Sequence, residues 1–295
     1  MPLLDGFAAH RLKTSDAEIY LRHKGKGPPL LLLHGYPQTH AMWHAVAPAL
    51  AERFTVVCAD LRGYGDSSKP RGGGDHGIMS KRAMANDMVE AMAALGFSSF
   101  MVAGHDRGGR VTHRMCLDHP SVIKRAAVLD IVPTRTLFEA TNKDLAEGYY
   151  HWFFLSRPFD LPEKLIGGDP LYYLHAKLGG WSGGKSSNFA HPEAMAEYER
   201  CFTDPATIHS SCEDYRAAAT IDLDHDRADE EARIACPLLV LWGQKGLMEK
   251  HFDVLASWRE KAEWPVNGRA LDCGHYLPEE APEATTQELL TFFSD

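Results

Sequence analysis

The segment from Phe100 to Arg110 constrains the fold more than any other part of the chain. Four apolar residues, Phe100–Ala103, lead directly into Gly104-His105-Asp106-Arg107-Gly108, and a helical pattern follows. Glycines two positions before and two positions after Asp106 permit a sharp turn from a buried strand into a helix, which leaves the central side chain at the helix N-terminus. The segment therefore predicts a strand–turn–helix unit of a doubly wound α/β sheet.

Four further apolar runs have the length and composition of buried parallel strands. They are Pro29–Leu33, Phe54–Ala59, Ala126–Asp130 and Leu238–Gly243. Between the last two runs, residues 133–225 are rich in aromatic residues, His and Pro and contain few strand-like runs. We predict a mostly parallel α/β core formed by residues 1–133 and 226–295, with a helical cap (a lid) of residues 134–225 inserted between two core strands.

Composition and charge narrow the class of protein. The chain has 295 residues, of which 44% are hydrophobic and 24% charged, as in ordinary globular proteins. A net charge of −9 argues against nucleic acid and anionic membranes as partners. The six cysteines have no regular spacing and the N-terminus has no signal-peptide pattern, so we predict unpaired cysteines and a cytoplasmic protein.

No motif indicates a nucleotide or metal site. The glycine-rich segments at 71–74 and 179–184 do not match a phosphate-binding loop that opens a helix after a strand. His40 and His44 are four residues apart and could share a helix face, but no third ligand accompanies them. We expect both histidines to be exposed to solvent and predict that the chain binds no metal.

Asp106, at the centre of the turn, is the candidate nucleophile. A serine there would suit acyl transfer, whereas a carboxylate suits displacement at a saturated carbon, giving an ester that water then hydrolyses. The helix N-terminus and the nearby Arg107 and Arg110 favour the ionised carboxylate and should lower its pKa. The alternative interpretation is an aspartate that only caps the helix.

Arg107 and Arg110 can share one face of the first helical turns with Asp106, because the three are spaced by one, three and four residues. Two guanidinium groups in this position could hold a substrate carboxylate through charge-assisted hydrogen bonds. Such an anchor would orient the substrate for attack by Asp106. The alternative is that both arginines pair with surface acids.

The sequence resembles the α/β-hydrolase superfamily and, within it, the fluoroacetate (haloacetate) dehalogenase family. Arg107, directly after the candidate nucleophile, and Arg110, three residues later, carry the specific part of the resemblance, since relatives that act on neutral substrates usually have Trp at the first of these positions. The other matching segments are His34-Gly35-Tyr36-Pro37-Gln38, residues 60–67, residues 129–133, Tyr150-His151-Trp152, Asp214-Tyr215-Arg216-Ala217 and Gly274-His275-Tyr276-Leu277-Pro278.

The resemblance implies a role for each matching residue. Asp106 would be the nucleophile, His275 the base that activates water, and Asp130 the acid that orients it, with Glu249 as the alternative acid. Arg107 and Arg110 would bind the substrate carboxylate, and His151, Trp152 and Tyr215 would bind the departing halide. Tyr36, His105 and Tyr150 would line the site. The resemblance implies no cofactor, and it implies a homodimer.

The expected reaction is hydrolytic dehalogenation of a short 2-haloacid, with fluoroacetate converted to glycolate and halide. The expected partner is accordingly a small anionic haloacid. The alternative is an epoxide hydrolase that uses the same nucleophile and base, with Tyr150 or Tyr215 protonating the ring oxygen. A third interpretation is a catalytically idle binding protein on the same scaffold.

Overall fold

The computed structural model describes residues 3–184 and 189–294. Eight strands form one sheet in the order β1-β2-β4-β3-β5-β6-β7-β8. Strands β3 to β8 pair in parallel, and β1 and β2 form an antiparallel edge beside β4. The bounds are β1 Ala8–Lys13, β2 Glu18–Lys24, β3 Pro29–Leu33, β4 Thr55–Ala59, β5 Phe100–His105, β6 Ile123–Leu129, β7 Leu238–Gly243 and β8 Val266–Leu271.

Helices cover the sheet and also fill the long connection between β6 and β7. The helices outside that connection are α1 Ala47–Leu50, α2 Lys81–Ala94, α3 Arg107–Asp118, α12 Leu247–His251, α13 Val254–Arg259, α14 Leu277–Glu280 and α15 Pro282–Ser294. The connection holds α4 Thr134–Glu139, α5 Lys143–Gly148, α6 Tyr150–Leu155, α7 Leu161–Gly168, α8 Pro170–Trp181, α9 Pro192–Phe202, α10 Pro205–Ala219 and α11 Ile221–Ala228. We call α4–α11 the inserted helices.

The predicted mostly parallel sheet is confirmed. All five predicted strands are present, and β3 and β7 have the predicted bounds. Every residue of β5 and β7 is buried, because helices on both faces of a parallel sheet leave its strands no solvent-facing side. The sequence reasoning did not identify β1, β2 or β8. In β1 and β8 exposed residues alternate with better-buried ones, so neither strand contains a continuous apolar run.

The strand order places candidate site residues together. The carboxyl ends of parallel strands lie at one edge of the sheet, and β3 lies between β4 and β5, where the order of the strands reverses. Ligands of open α/β sheets bind at such a switch point. Asp106 follows β5 and Asp130 follows β6, so two distant carboxylates meet at this edge.

One prediction about the histidines was wrong. His40 is only 6% exposed, and its Nδ1 lies 2.9 Å from Asp60 Oδ1, so it belongs to the buried polar framework. Among the described residues, no group of three or more His, Cys, Asp or Glu side chains could hold a metal ion. In the same part of the chain, no helix is both long and apolar enough to cross a membrane. All six cysteines are free and buried.

Candidate active site

The turn at Asp106 has the strained backbone that the two glycines were predicted to permit. Asp106 has φ 46° and ψ −111°, and α3 begins at the next residue. A Cβ atom on Gly104 would lie 2.3 Å from the carbonyl oxygen of Gly108, and one on Gly108 would lie 2.5 Å from that of His34. The Asp106 side chain makes no capping hydrogen bond, so it does not act as a helix cap.

Asp106 is buried and held in place by the loop that follows β3. Its Oδ1 accepts a hydrogen bond from the backbone N–H of Tyr36 at 2.9 Å, and the side chain is 2% exposed. Burial by itself would raise the pKa of Asp106, but the nearby His275, Arg107, His105 and Arg110 outweigh it and lower the pKa. The carboxylate is therefore ionised and has one oxygen fixed.

His275 and Asp130 form a hydrogen-bonded pair. His275 Nδ1 lies 2.5 Å from Asp130 Oδ2, and Asp130 Oδ1 accepts the backbone N–H of Gly243 at 2.8 Å. In the described structure, His275 Nε2 has no hydrogen-bond partner. Glu249, the alternative acid, instead accepts a hydrogen bond from Trp242 Nε1. Asp130, and not Glu249, is therefore the candidate acid that contacts His275.

The loop that carries His275 is fixed from both sides. On the core side, His105 Nε2 lies 2.8 Å from the His275 carbonyl oxygen; on the other side, the backbone N–H of His275 donates to the carbonyl of Trp181, at the end of α8, at 3.0 Å. Burial alone would lower the pKa of His275, but Asp130, followed by Asp106, raises it. His105 is buried beside His275, which lowers its own pKa to about 3, so it is a neutral support for this loop.

Arg107 is bound to a buried acid that the sequence reasoning had not paired with it. Its Nε donates to Asp214 Oδ2 at 2.9 Å and its Nη2 donates to Asp214 Oδ1 at 2.6 Å. Asp214 also accepts hydrogen bonds from Tyr64 Oη at 2.6 Å and from Lys81 Nζ. Only Nη1 of the Arg107 guanidinium has no partner among the described residues. Arg107 therefore does pair with an acid, but this acid is buried in α10 and is not a surface acid, as the alternative interpretation had it.

Arg110 keeps more of its donors free. Its Nη1 donates to the Val132 carbonyl and to Thr134 Oγ1, each at 3.0 Å, whereas Nε and Nη2 have no partner in the described part of the chain. The side chain is 3% exposed. Burial and, after it, the positive charge of Arg107 lower the pKa of Arg110 to about 10. The negative charge of Asp106 opposes this lowering and is outweighed, and no ion pair to Arg110 is present among the described residues.

Three buried side chains supply further unpaired donors next to the arginines. Among the described residues, both ring nitrogens of His151, Trp152 Nε1 and Tyr215 Oη have no hydrogen-bond partner. The ring of Tyr215 lies 5.2 Å from that of His151 and 5.6 Å from that of Trp152, centroid to centroid. Burial and neighbouring cations hold the pKa of His151 well below its usual value, so its neutral ring offers one N–H donor.

The guanidinium groups lie against these rings. Arg107 Cζ is 4.3 Å from the centroid of the Tyr215 ring, and Arg110 Cζ is 4.5 Å from that of Trp152. Aromatic faces attract cations, so these contacts help to hold both guanidinium groups in place beside Tyr215 and Trp152. Burial and, after it, the negative charge of Asp106 hold the pKa of Tyr215 well above its usual value, so its hydroxyl keeps its proton.

Tyr150 differs from the other predicted site residues. It is 45% exposed and lines an outer cavity of about 800 Å³. The sequence reasoning also missed residues that the fold brings to the site, namely Tyr149, Lys177, Trp181 and Asp214. Tyr149 is buried near Asp130 and Asp106, whose charges add to burial in raising its pKa. Asp214 stood in a matching segment, but no local pattern links it to Arg107, 107 positions away.

The mostly parallel sheet defines an α/β-hydrolase fold, with Asp106 at the strained turn after β5 and the Asp130–His275 pair at the same edge. Residues 28–282 match the family model described as alpha/beta hydrolase fold. A fluoroacetate dehalogenase from Burkholderia sp. is 45% identical over 99% of this chain and 96% of its own length. This chain accordingly belongs to the fluoroacetate dehalogenase family of the α/β-hydrolase superfamily, and it is a hydrolase.

Two other relatives show how broad the similarity is. A soluble epoxide hydrolase from Corynebacterium sp. (strain C12) is 36% identical over 97% of this chain and 96% of its own length. The crystal structure of a protein from Nostoc sp. PCC 7120 described as an alpha/beta hydrolase is 55% identical and covers 98% of both chains, with a TM-score of 0.95. Hydrolases named for different reactions are therefore similar to this chain over nearly its full length.

Proposed function

We propose that this protein hydrolyses the carbon–halogen bond of short 2-haloacids, with fluoroacetate as the leading substrate. The observation that carries the proposal is the buried Arg110 guanidinium, whose Nε and Nη2 have no partner in the described structure. Buried guanidinium donors without an acceptor are costly, and a substrate carboxylate would supply both the acceptors and a negative charge. A neutral epoxide has no carboxylate to accept from these two donors of Arg110.

The first step is displacement of the halide by Asp106. With one oxygen held by the Tyr36 N–H, the other carboxylate oxygen attacks the α-carbon, the carbon–halogen bond breaks, and an aspartyl ester and a halide ion form. Arg110 and the free Nη1 of Arg107 hold the substrate carboxylate, which fixes the α-carbon in reach of Asp106. The free donors of His151, Trp152 and Tyr215 stabilise the departing halide.

The second step is hydrolysis of the ester. His275 takes a proton from water through its free Nε2, while Asp130 holds Nδ1 and stabilises the imidazolium that forms. The hydroxide adds to the carbonyl carbon of the Asp106 ester, and the Tyr36 N–H donates to the developing oxyanion. His275 returns its proton to the departing glycolate oxygen as the ester bond breaks, and the second proton of the water is lost to solvent as the Asp106 carboxylate re-forms.

Epoxide hydrolysis is the second candidate, because the similar Corynebacterium protein is named a soluble epoxide hydrolase. The same Asp106 and His275 would serve, and the unpaired hydroxyl of Tyr215 would donate a proton to the opening ring oxygen. Tyr150, the other tyrosine considered for this step, is 45% exposed in the outer cavity and less suited to it. Two arginines with free donors beside the nucleophile favour the haloacid.

The test is fluoride release from fluoroacetate, followed with an ion-selective electrode near pH 8. We expect release by the native protein and none by Asp106→Asn, which removes the nucleophilic charge. His275→Asn should form the ester and fail to hydrolyse it, so mass spectrometry of a peptide with Asp106 should find one added carboxymethyl group. Asp224→Asn, which changes a surface acid paired with Arg227, is the matched control and should retain full activity.

The outcomes separate the candidates. Chloride from chloroacetate without fluoride from fluoroacetate would support a haloacid hydrolase whose halide donors do not suffice for the carbon–fluorine bond. Diol from styrene oxide without halide from either acid would overturn the proposal in favour of epoxide hydrolysis. Neither halide nor diol, with no ester on Asp106, would support the idle binding protein.

A further inference from the structure

Lys177 is a buried cation that the proposed reaction leaves without a role. It lies on α8, is 3% exposed, and lines the outer cavity of about 800 Å³. Asp130 and His275 form part of the lining of the same cavity, so it leads toward the candidate catalytic groups. Lys177 therefore lies on a route by which a small molecule could reach the site.

The ammonium group of Lys177 is held by aromatic faces and not by an acid. Its Nζ lies 3.6 Å from the ring centroid of Tyr150 and 4.9 Å from that of Trp181. Within the described residues, the ammonium group of Lys177 makes no hydrogen bond or ion pair, whereas its backbone carbonyl accepts a hydrogen bond from Tyr276 Oη at 3.4 Å. By contrast, the other two lysines that line the cavity have acid partners, Lys245 with Asp272 at 2.7 Å and Lys250 with Asp144 at 3.9 Å.

The positive charge of Lys177 also acts on His151, one of the proposed halide donors. After burial, Lys177 is the strongest influence holding the pKa of His151 below its usual value. The ring of His151 lies 4.4 Å from that of Trp181, which in turn stands 5.4 Å from that of His275. Lys177 is thus electrostatically coupled to a proposed halide donor.

An anion that enters this cavity meets an unfavourable field. Asp130, Glu147 and Glu249 line it, and the whole chain carries a net charge of −9. Like charges in a cleft repel an incoming anion and slow its binding, whereas a cation at the wall attracts it. A lysine without an acid partner has its charge available for that purpose.

We propose that Lys177 forms an outer carboxylate subsite, which receives the incoming haloacid before Arg110 binds it and holds the hydroxyacid product as it leaves. This rests on the proposed function for the identity of the acid. The aromatic faces of Tyr150 and Trp181 fix the ammonium group without neutralising it, so an anion can exchange there.

The groups around Lys177 give the subsite a pH dependence. Tyr150 and His151 face it from α6, Tyr173 and Trp181 from its own helix, and Tyr276 from the His275 loop, while Glu147 lines the same cavity. Burial lowers the pKa of Lys177 to about 7. The ammonium charge, and the attraction for a carboxylate, should therefore be present below about pH 7 and decline above it.

The experiment compares Lys177→Met with Lys177→Arg, assayed by halide release from fluoroacetate and chloroacetate. At pH 6.5, Lys177→Met should lower kcat/KM about tenfold, which corresponds to ~1.4 kcal/mol, through a higher KM with kcat nearly unchanged. Lys177→Arg should restore kcat/KM because it restores the charge. Lys245→Met, which removes another cavity lysine, is the matched control and should change kcat/KM less than twofold.

The pH profile provides an independent test. The ratio of kcat/KM of the native protein to that of Lys177→Arg should be constant at low pH and fall as pH rises through about 7, because arginine keeps its charge. Any titration of His275 affects both proteins and cancels in the ratio. A flat ratio, or an equal loss of kcat in both Lys177 variants, would overturn the subsite and indicate a structural role.

Binding measurements separate this inference from the proposed function. If the native protein released no halide, calorimetric titration of chloroacetate into Asp106→Asn and into Asp106→Asn/Lys177→Met would still test the subsite. Tenfold weaker binding by the double variant supports it, even when the dehalogenation proposal has failed. Equal binding by the two proteins, or no binding by either, overturns it.

Discussion

At the scale of single residues, the Asp130–His275 pair illustrates how local geometry sets a protonation state. Asp130 has two hydrogen-bond partners: the backbone N–H of Gly243 holds Oδ1, and Oδ2 lies against Nδ1 of His275. The negative charge raises the pKa of His275 above its ordinary value despite burial. Fixing the proton on Nδ1 leaves Nε2 as the acceptor that water needs.

Asp130→Asn tests this arrangement. The Asn oxygen can keep the Gly243 hydrogen bond while its NH₂ group donates to Nδ1, which places the proton on Nε2 and disables the base. We expect ester hydrolysis to slow by ~10³–10⁴-fold. Loss of the carboxylate charge should also lower the pKa of His275, so the rise of the residual rate with pH should shift to lower pH.

Single-turnover ester hydrolysis, measured from pH 5 to 9 by quenching and mass spectrometry, checks both expectations. Glu249→Gln, which alters the other acid considered, serves as the control and should leave the pH profile unchanged. An unchanged rate in Asp130→Asn would show that another group orients His275.

At the scale of secondary-structure elements, Asp214 joins three helices to the site. It lies on α10 and accepts hydrogen bonds from Arg107 at the start of α3 and from Lys81 at the start of α2. The Arg107 and Asp214 side chains are fully buried, so each charge depends on its partner. The inserted helices thus help to orient the first arginine of the core helix.

We expect Asp214→Asn to lower the free energy of unfolding by ~3–5 kcal/mol, because it leaves the buried Arg107 without its counter-charge. Denaturant titration measures this loss. The double variant Asp214→Leu/Arg107→Met should lose less than the sum of Asp214→Leu and Arg107→Met alone, since it removes both charges of the pair and Lys81 keeps Asp222 at 3.6 Å. Asp224→Asn, from an exposed ion pair, should change the free energy by less than ~0.5 kcal/mol. If Asp214→Asn also lowered the free energy of unfolding by less than ~0.5 kcal/mol, Asp214 would not be the counter-charge on which the buried Arg107 depends.

At the scale of the whole molecule, two adjacent glutamates connect the inserted helices to the core. Glu279 accepts hydrogen bonds from Tyr198 Oη of α9 at 3.0 Å and from Gln38 Nε2 of the core. Glu280 accepts backbone N–H groups from Gly183, Gly274 and Tyr276 at 2.8–3.0 Å. These contacts fix the inserted helices against the loop that carries His275.

The pKa of Glu279 predicts a pH-dependent stability. Burial raises this pKa from 4.5 to about 8, so the folded protein holds a proton that the unfolded chain has released. Its contribution is therefore lost progressively as pH rises from about 4.5 to about 8. Glu279→Gln removes this loss of stability because glutamine does not ionise. The Gln38 Oε1 atom has no partner in the described structure, and a half-turn rotation of the Gln38 amide would let it accept a hydrogen bond from the new NH₂ group.

We expect the Tm of Glu279→Gln to exceed that of the native protein by ~3 °C or more at pH 8.5 and to match it at pH 4.5. Differential scanning calorimetry at the two pH values measures the difference. Glu283→Gln, an exposed change in α15, is the control. A Tm difference that does not vary with pH would show that Glu279 is ionised in the folded protein.

Much of the framework could be read from the sequence, because it depends on local patterns. Continuous apolar runs predicted β3 to β7, since a strand covered on both faces tolerates few polar residues. The glycines around Asp106 predicted the strained turn, because their lack of a Cβ is a local requirement. The domain bounds, the homodimer, the cytoplasmic location and the roles of the site residues remain predictions.

Only the tertiary structure decided how distant charges pair. It brought Asp214 to Arg107, chose Asp130 over Glu249 for His275, and left Arg110 and Lys177 without acid partners among the described residues. Charge pairing depends on distance and burial in space, and residues 107 or 145 positions apart carry no local signal of it. The sequence by itself determined which groups are present and where the chain turns, whereas packing of the inserted helices on the sheet determined which charged groups are paired and which keep free donors.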